Sequence, residues 1–170
     1  MGRANHLVEG LSGTGKSSVC RELTRRGFQA VDGDRELAYP GDPETGAPLA
    51  VSGRDDHVWD VAKVRALVAD QREEVTFFCG GSRNFPAFVD AFDTVLVLEV
   101  DLATLHRRLD ARPDEHWRDG RPTDRALVTR WHRTKETVPA GVAIDATAPL
   151  DQVVDEVLRR CGVVPRSDAS

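Results

Sequence analysis

Apolar residues along this chain fall into short unbroken runs, separated by stretches with helical spacing. Ala4 to Glu9 predicts a first strand, and a glycine-rich turn follows it. The pattern from about Lys16 to Arg26 predicts a helix that Gly27 ends. Phe28 to Val31 predicts a second strand running into Asp32-Gly33-Asp34, with a short helical piece around Arg35 to Tyr39. Residues 40–53 are rich in glycine and proline and read as loop. Asp55 to about Arg72 has helical spacing through Val58, Val61, Val64, Leu67 and Val68. Val75 to Cys79 predicts a buried strand ending in Gly80-Gly81, and Phe85 to Phe92 a short helix. Thr94 to Val100 is the clearest strand, an unbroken apolar run suited to a parallel strand covered on both faces. A helix at Leu102–Ala111, a polar stretch at 112–123, a helix from Asp124 to about Thr137, a strand at Gly141–Ile144 and a helix at Leu150–Cys161 complete the pattern. The alternation of strand and helix predicts an α/β domain, a parallel sheet with helices on both faces.

The 170 residues suit one domain, taken as 1–162 with a frayed tail at 163–170. Hydrophobic residues make up 40% and charged residues 30%, enough to build a core. The net charge of -5 argues against nucleic acid as a partner bound through bulk charge. Only Lys16, Lys63 and Lys135 are lysines, so nearly all the positive charge is arginine, the better residue for bidentate contacts to phosphate or carboxylate. Cys20, Cys79 and Cys161 form neither a CxxC pair nor a zinc spacing, and Cys79 reads as a small core residue. No apolar run has the length of a membrane span and the N-terminal residues do not read as a signal peptide, so a cytoplasmic protein with no membrane partner is expected, as monomer or homodimer.

The most informative segment is Gly10-Leu11-Ser12-Gly13-Thr14-Gly15-Lys16-Ser17, which satisfies GxxxxGK[ST] in full and lies between an apolar strand and a helix. Glycines allow the tight turn that aims backbone N–H groups at phosphate oxygens, and the helix N-terminus, with Ser18 in its first turn, adds its positive dipole end. Lys16 should bridge the β- and γ-phosphates of ATP, and Ser17 should ligate Mg²⁺ through its hydroxyl. Two carboxylates, Asp32 and Asp34, sit two apart at the end of the second strand, at the sheet edge where open α/β folds bind ligands. At the third strand end, Gly80 and Gly81 let a ligand approach the backbone, and Arg83 follows as a clamp for phosphate or carboxylate.

With these residues the chain resembles the P-loop kinases of small molecules: nucleoside monophosphate kinases, shikimate kinase and gluconate kinase. The resemblance runs from about Ala4 to Cys161. It implies a five-stranded sheet of order 2-3-1-4-5, and an acceptor-binding region at about 35–74 in which Arg54 grips an acceptor anion. Asp32-Gly33-Asp34 looks like the strand-end DxD of shikimate-type kinases. By that likeness Asp32 helps hold Mg²⁺, directly or through water, and Asp34 contacts the acceptor hydroxyl as base or orienting group. Gly80, Gly81 and Arg83 look like the acceptor loop of the same kinases. Where many nucleotide kinases carry a magnesium-serving aspartate near this strand end, this chain has Cys79-Gly80, which leaves the metal to Asp32, Asp34 or water.

Arg108 and Arg112, four apart on one helix face, lead into residues 112–123, which resemble a short arginine-rich lid with Arg118, Arg121 and Arg125. Closing arginines would neutralise the charge spread over the transferring γ-phosphoryl group, and Arg112 could stack on adenine. Ala146 to Pro149, including Ala148, corresponds to the turn that reads the adenine edge. Trp59 reads as a packing residue. The expected activity is transfer of the γ-phosphoryl group of Mg·ATP to a small-molecule acceptor, a nucleoside, a nucleotide or a shikimate-like metabolite. The alternative is an NTP-binding regulatory switch with little transfer activity.

Overall fold

Leu7 and Val8 are both fully buried, and they belong to two different apolar clusters. Successive side chains of a strand point to opposite faces, so this pair shows a sheet covered on both sides. Phe77 and Phe78 divide between the same clusters. The computed structural model describes residues 2–50, 56–116 and 120–164. Its strands are β1 (Gly2–Gly10), β2 (Gln29–Asp32), β3 (Ala38–Pro40), β4 (His57–Trp59), β5 (Glu73–Cys79), β6 (Thr94–Glu99) and β7 (Val142–Asp145). Its helices are α1 (Lys16–Arg25), α2 (Gly33–Glu36), α3 (Val61–Ala69), α4 (Leu102–Asp110), α5 (Arg121–Thr134) and α6 (Leu150–Arg160). None of the described helices is long and apolar enough to cross a membrane.

Five strands form a parallel sheet in the order β2-β5-β1-β6-β7, with β1 at its centre. β1 pairs His6 with Phe77 of β5 on one side and Val8 with Leu96 of β6 on the other. On one face, Val8, Leu96, Leu98 and Phe77 pack with Leu23 of α1, Leu105 and Leu109 of α4, and Val154 and Val157 of α6. On the other face, Leu7, Val31 and Phe78 pack with Val64 of α3 and with Trp59, Phe88 and Phe92. The first strand, the phosphate turn and the helix after it thus sit at the middle of the domain, with a free cleft side at the carboxyl ends of the strands.

Several expectations need correction. The single helix from Asp55 to Arg72 is a strand followed by a shorter helix. His57–Trp59 pairs antiparallel with Ala38–Pro40, matching Ala38 with Trp59 and Pro40 with His57, and makes a separate two-stranded sheet that a five-strand count leaves out. The reason is burial. Val58 and Trp59 are both inaccessible, and the Trp59 ring stacks on Phe88 at 5.4 Å between centroids, so neither can sit on a half-exposed helix face. Asp60 then caps α3, its carboxylate accepting from the Lys63 backbone N–H at 3.0 Å. The helical piece placed at 35–39 is the single turn Gly33–Glu36, and Ala38 onward is strand. Within the stretch read as loop, Gly41 bridges Pro48 and the Tyr39 hydroxyl donates to the Gly46 carbonyl at 2.7 Å. Phe85–Phe92 forms two short 3-10 turns rather than one helix. Helix α5 begins at Arg121, three residues early, because Pro122 suits a first helical turn.

Candidate active site

The phosphate turn starts where β1 ends. Thr14 closes it, its N–H and its hydroxyl both donating to the Leu11 carbonyl at 3.2 and 2.7 Å. Gly15 caps α1 with φ 100, a left-handed conformation that a side chain resists, and this brings the helix start under the turn. Lys16 folds over the turn, its ammonium donating to the carbonyls of Gly10 and Leu11 at 2.5 and 2.9 Å.

Two clefts meet at this point. The larger, of about 550 Å³, is lined by Ser12, Gly13, Thr14 and Gly15 of the turn, by Ser17 and Ser18 of α1, and by Ala146 and Ala148 across the opening. The smaller, of about 280 Å³, runs from Glu9 and Gly10 past Gly81 and Arg83 to Trp131. Ser12, Lys16, Asp34 and Arg112 line both. A basic group, a carboxylate and a guanidinium therefore stand where a cleft lined by the glycine-rich turn meets a second, smaller one.

Asp34 lies in the one-turn helix α2. Its Oδ1 accepts from the His57 Nε2–H at 3.0 Å and from the Gly81 backbone N–H at 3.2 Å. Burial works to raise this carboxyl, yet the His57 and Gly81 hydrogen bonds and the positive charge of Lys16 outweigh it and hold the group below its ordinary 3.8. Gly80 has φ 149, and a Cβ there would stand 2.6 Å from the Trp59 ring and 2.7 Å from Asp34 Oδ1. Only a residue without a side chain lets the loop after β5 lie this close to the carboxylate. The loop is tied down further. Asn84 donates to the Trp59 carbonyl at 2.9 Å and accepts from the Trp59 N–H at 2.9 Å, and the Arg83 N–H donates to the His57 carbonyl at 2.8 Å. The Arg83 guanidinium lies 5.1 Å from the centroid of the Trp131 ring, a cation–π contact on the wall of the smaller cleft.

Other expected residues take different places. Asp32 lines neither cleft. It stands at the N-cap position of α2 with no side-chain hydrogen bond to the helix, and its carboxylate lies 3.7 Å from the Arg35 Nε. Arg108 lines the larger cleft and is engaged with backbone there. It donates to the Gly13 and Thr14 carbonyls at 3.3 Å and to the Ala146 carbonyl at 2.8 Å, so it braces the phosphate turn against the turn after β7 rather than reaching across the cleft junction. Pro149 stands at the N-cap of α6, outside the cleft lining. Asp145 holds Thr147, accepting from its N–H at 2.9 Å and from its hydroxyl at 2.5 Å, a local turn contact that also lowers its pKa. Arg121 braces the end of α4 through the Asp110 and Arg112 carbonyls, and Arg125 pairs with Asp110 at 3.0 Å. Arg54 and Arg118 lie outside the described residues. Cys20 and Cys79 are buried, free thiols.

The sequence reading missed Glu9. Its carboxyl is 2% exposed and lines the smaller cleft beside Lys16. Its Oε1 accepts from the Gly10 N–H at 3.0 Å, and the Ser82 backbone N–H also reaches the group. Burial pushes its pKa up to about 8 against the opposing charge of Lys16, which favours the protonated form. The signal was present: an ionisable residue closing a buried apolar strand, immediately before a phosphate turn. The Asp34–His57 pair, His116 and Thr137 of the smaller cleft carried no such local signal, because each comes from a separate segment.

The sequence matches the AAA domain family profile over residues 7–126. No curated protein matches it. Among solved structures, a gluconokinase from Sinorhizobium meliloti 1021 is similar at 24% identity, with 94% of this chain and 91% of that chain covered and a TM-score of 0.59. A sugar kinase from Janibacter sp. HTCC2649 is similar at 17% identity, covering 95% and 96%, with a TM-score of 0.58. A shikimate kinase from Bacteroides thetaiotaomicron is similar at 14% identity over 94% of this chain and 99% of that one, with a TM-score of 0.56. These likenesses concern the fold alone.

Proposed function

The chain belongs to the AAA domain family, and on that footing we propose that it is an ATP-dependent phosphotransferase, moving the γ-phosphoryl group of ATP to a hydroxyl of a small acceptor. The observation that carries this reading is the pair of clefts sharing Lys16, Asp34 and Arg112. A switch that only binds and hydrolyses a nucleotide has no use for a second, polar cleft opening onto the same lysine. A transferase needs a donor site and an acceptor site in line across one junction.

In this reading ATP lies in the larger cleft, its phosphates cradled by the N–H groups of residues 12–17 and its base against Ala146 and Ala148. The acceptor lies in the smaller cleft. Asp34 orients its hydroxyl, the hydroxyl oxygen attacks the γ-phosphorus, and the bond from that phosphorus to the β–γ bridging oxygen breaks. The electron pair leaves on ADP, and the hydroxyl proton passes to Asp34 as the new bond forms. Lys16 and Arg112 neutralise charge on the transferring group, and Arg83 holds an anionic part of the acceptor. Arg108 keeps the phosphate turn in register with the base turn.

The donor set suits Mg²⁺. Ser17 would offer a hard hydroxyl oxygen from the first turn of α1, where it lines the larger cleft, and Asp32, which lines neither cleft, would act only through water. When bound near Ser17, Mg²⁺ would supply positive charge that offsets the charge of the phosphates.

The test is ATP consumption against a panel of nucleosides, nucleoside monophosphates, sugars, hydroxy acids and aminoglycosides, with Lys16→Ala as control. Turnover with one acceptor class, lost in the variant, supports the proposal. ATP binding with no acceptor-dependent turnover across the panel turns the reading toward the nucleotide switch.

A further inference from the structure

Asp34 is held by an unusual arrangement for so short an element. Helix α2 is a single turn, Gly33–Glu36, and by itself fixes a side chain poorly. Both hydrogen bonds to the Asp34 carboxylate go to Oδ1, from His57 Nε2–H and from Gly81 N–H. Oδ2 takes none from the described residues, although Asp34 lines both clefts. One oxygen is anchored and the other is presented.

His57 is fixed in turn. It is the first residue of β4, and the next two, Val58 and Trp59, are fully buried. The Trp59 backbone is bonded on both sides to Asn84. The His57 carbonyl accepts from Arg83 N–H at 2.8 Å, so the same residue that holds Asp34 with its ring holds the opposite wall of the smaller cleft with its backbone. Changing the ring leaves that backbone bond in place.

We propose that His57 is a positioning residue for phosphoryl transfer. By donating Nε2–H to Asp34 Oδ1 it fixes the carboxylate plane and turns Oδ2 toward the acceptor hydroxyl. It acts through Asp34 and not on the reacting atoms. The inference rests on the phosphotransferase reading above.

Two variants and a cycle test it. The assay is acceptor-dependent ADP formation with the panel compound that turns over in the wild type, with ATP affinity measured separately by titration. His57→Ala lowers kcat by about 10- to 100-fold, the size of effect a misplaced catalytic group produces. Acceptor KM and ATP affinity stay within about threefold, since the change falls on the placement of Asp34 and not on binding. His57→Gln, whose amide N–H reaches a similar position, recovers kcat to within about tenfold of wild type. In an Asp34→Asn background, His57→Ala costs less than about threefold more, because the group it positions is already altered.

A raised acceptor KM at unchanged kcat overturns the inference and makes His57 an acceptor ligand. His57→Gln no better than His57→Ala overturns it and makes the ring a space filler. A full, additive loss in the Asp34→Asn background shows that His57 does not act through Asp34. If His57→Ala loses ATP affinity through misfolding, His57→Gln decides alone, and a drop beyond about tenfold with ATP affinity intact counts against positioning. No turnover in the wild type removes the transferase reading, and this inference with it. Failure in the variants alone removes only the inference.

Discussion

Glu9→Gln isolates one buried ionisable group from all the others. Glu9 is 2% exposed, and burial lifts its pKa from 4.5 to about 8 in the folded chain. In the unfolded chain the group has its ordinary value. Between the two values the folded state holds one proton that the unfolded state has released, so the stability contribution is full below pH 4.5 and falls as pH rises toward 8. The slope for one proton is about 1.4 kcal/mol per pH unit. Gln keeps the shape and cannot titrate. Any difference in how its amide meets the backbone N–H groups of Gly10 and Ser82 is independent of pH, so the slope is the informative quantity and the level is not.

Urea unfolding of both proteins at pH about 5.5 and about 7.5 gives the measurement. The stability of Glu9→Gln relative to wild type should improve by about 3 kcal/mol between these two pH values, two pH units at the one-proton slope. Every other titrating group is common to both proteins and cancels in the difference. Parallel stability curves for the two proteins would refute the reasoning. They would mean that Glu9 is ionised in the folded state at neutral pH, its charge offset by Lys16.

Three further outcomes follow from the same structure. His6 is buried against Phe77, neither ring nitrogen has a hydrogen-bond partner among the described residues, and burial lowers its pKa below 6.5. The unfolded chain therefore binds the extra proton first, stability is lost as pH falls below 6.5, and His6→Phe should lessen that acid loss in thermal unfolding between pH about 7 and about 5. Gly80→Ala would place a Cβ 2.7 Å from Asp34 Oδ1 and 2.6 Å from the Trp59 ring, so it should destabilise by about 1–3 kcal/mol and also lower acceptor-dependent kcat, with ATP affinity little changed. Arg108→Ala removes the brace between the phosphate turn and the Ala146 carbonyl, and calorimetric titration should show ATP binding weakened by about tenfold, or about 1.4 kcal/mol.

Local rules were enough for part of this protein. The phosphate turn was legible because its chemistry is contiguous: eight successive residues supply the glycines, the lysine and the hydroxyl, and an apolar strand and a helix flank them. The five parallel strands and the helices α1, α4 and α6 were legible because apolar period and glycine punctuation both act within a few residues. Asp34, Gly80 and Gly81 could be marked because strand ends in a parallel sheet gather at one edge.

Tertiary structure decided the rest. His57–Trp59 became a strand, against its helical spacing, because Trp59 is worth more fully buried on Phe88 than on a half-exposed helix face, a comparison that involves residues about thirty apart. Arg108 lines the larger cleft and directs its donors to three backbone carbonyls, since those donors depend on where two distant turns lie. The pairing of His57 with Asp34 joins segments separated by an inserted loop, and no period along the chain encodes it. The pKa of Glu9 belongs to its surroundings alone. An ionisable side chain has its solution value until the fold removes water from it, and how much water is removed is a property of the packed whole.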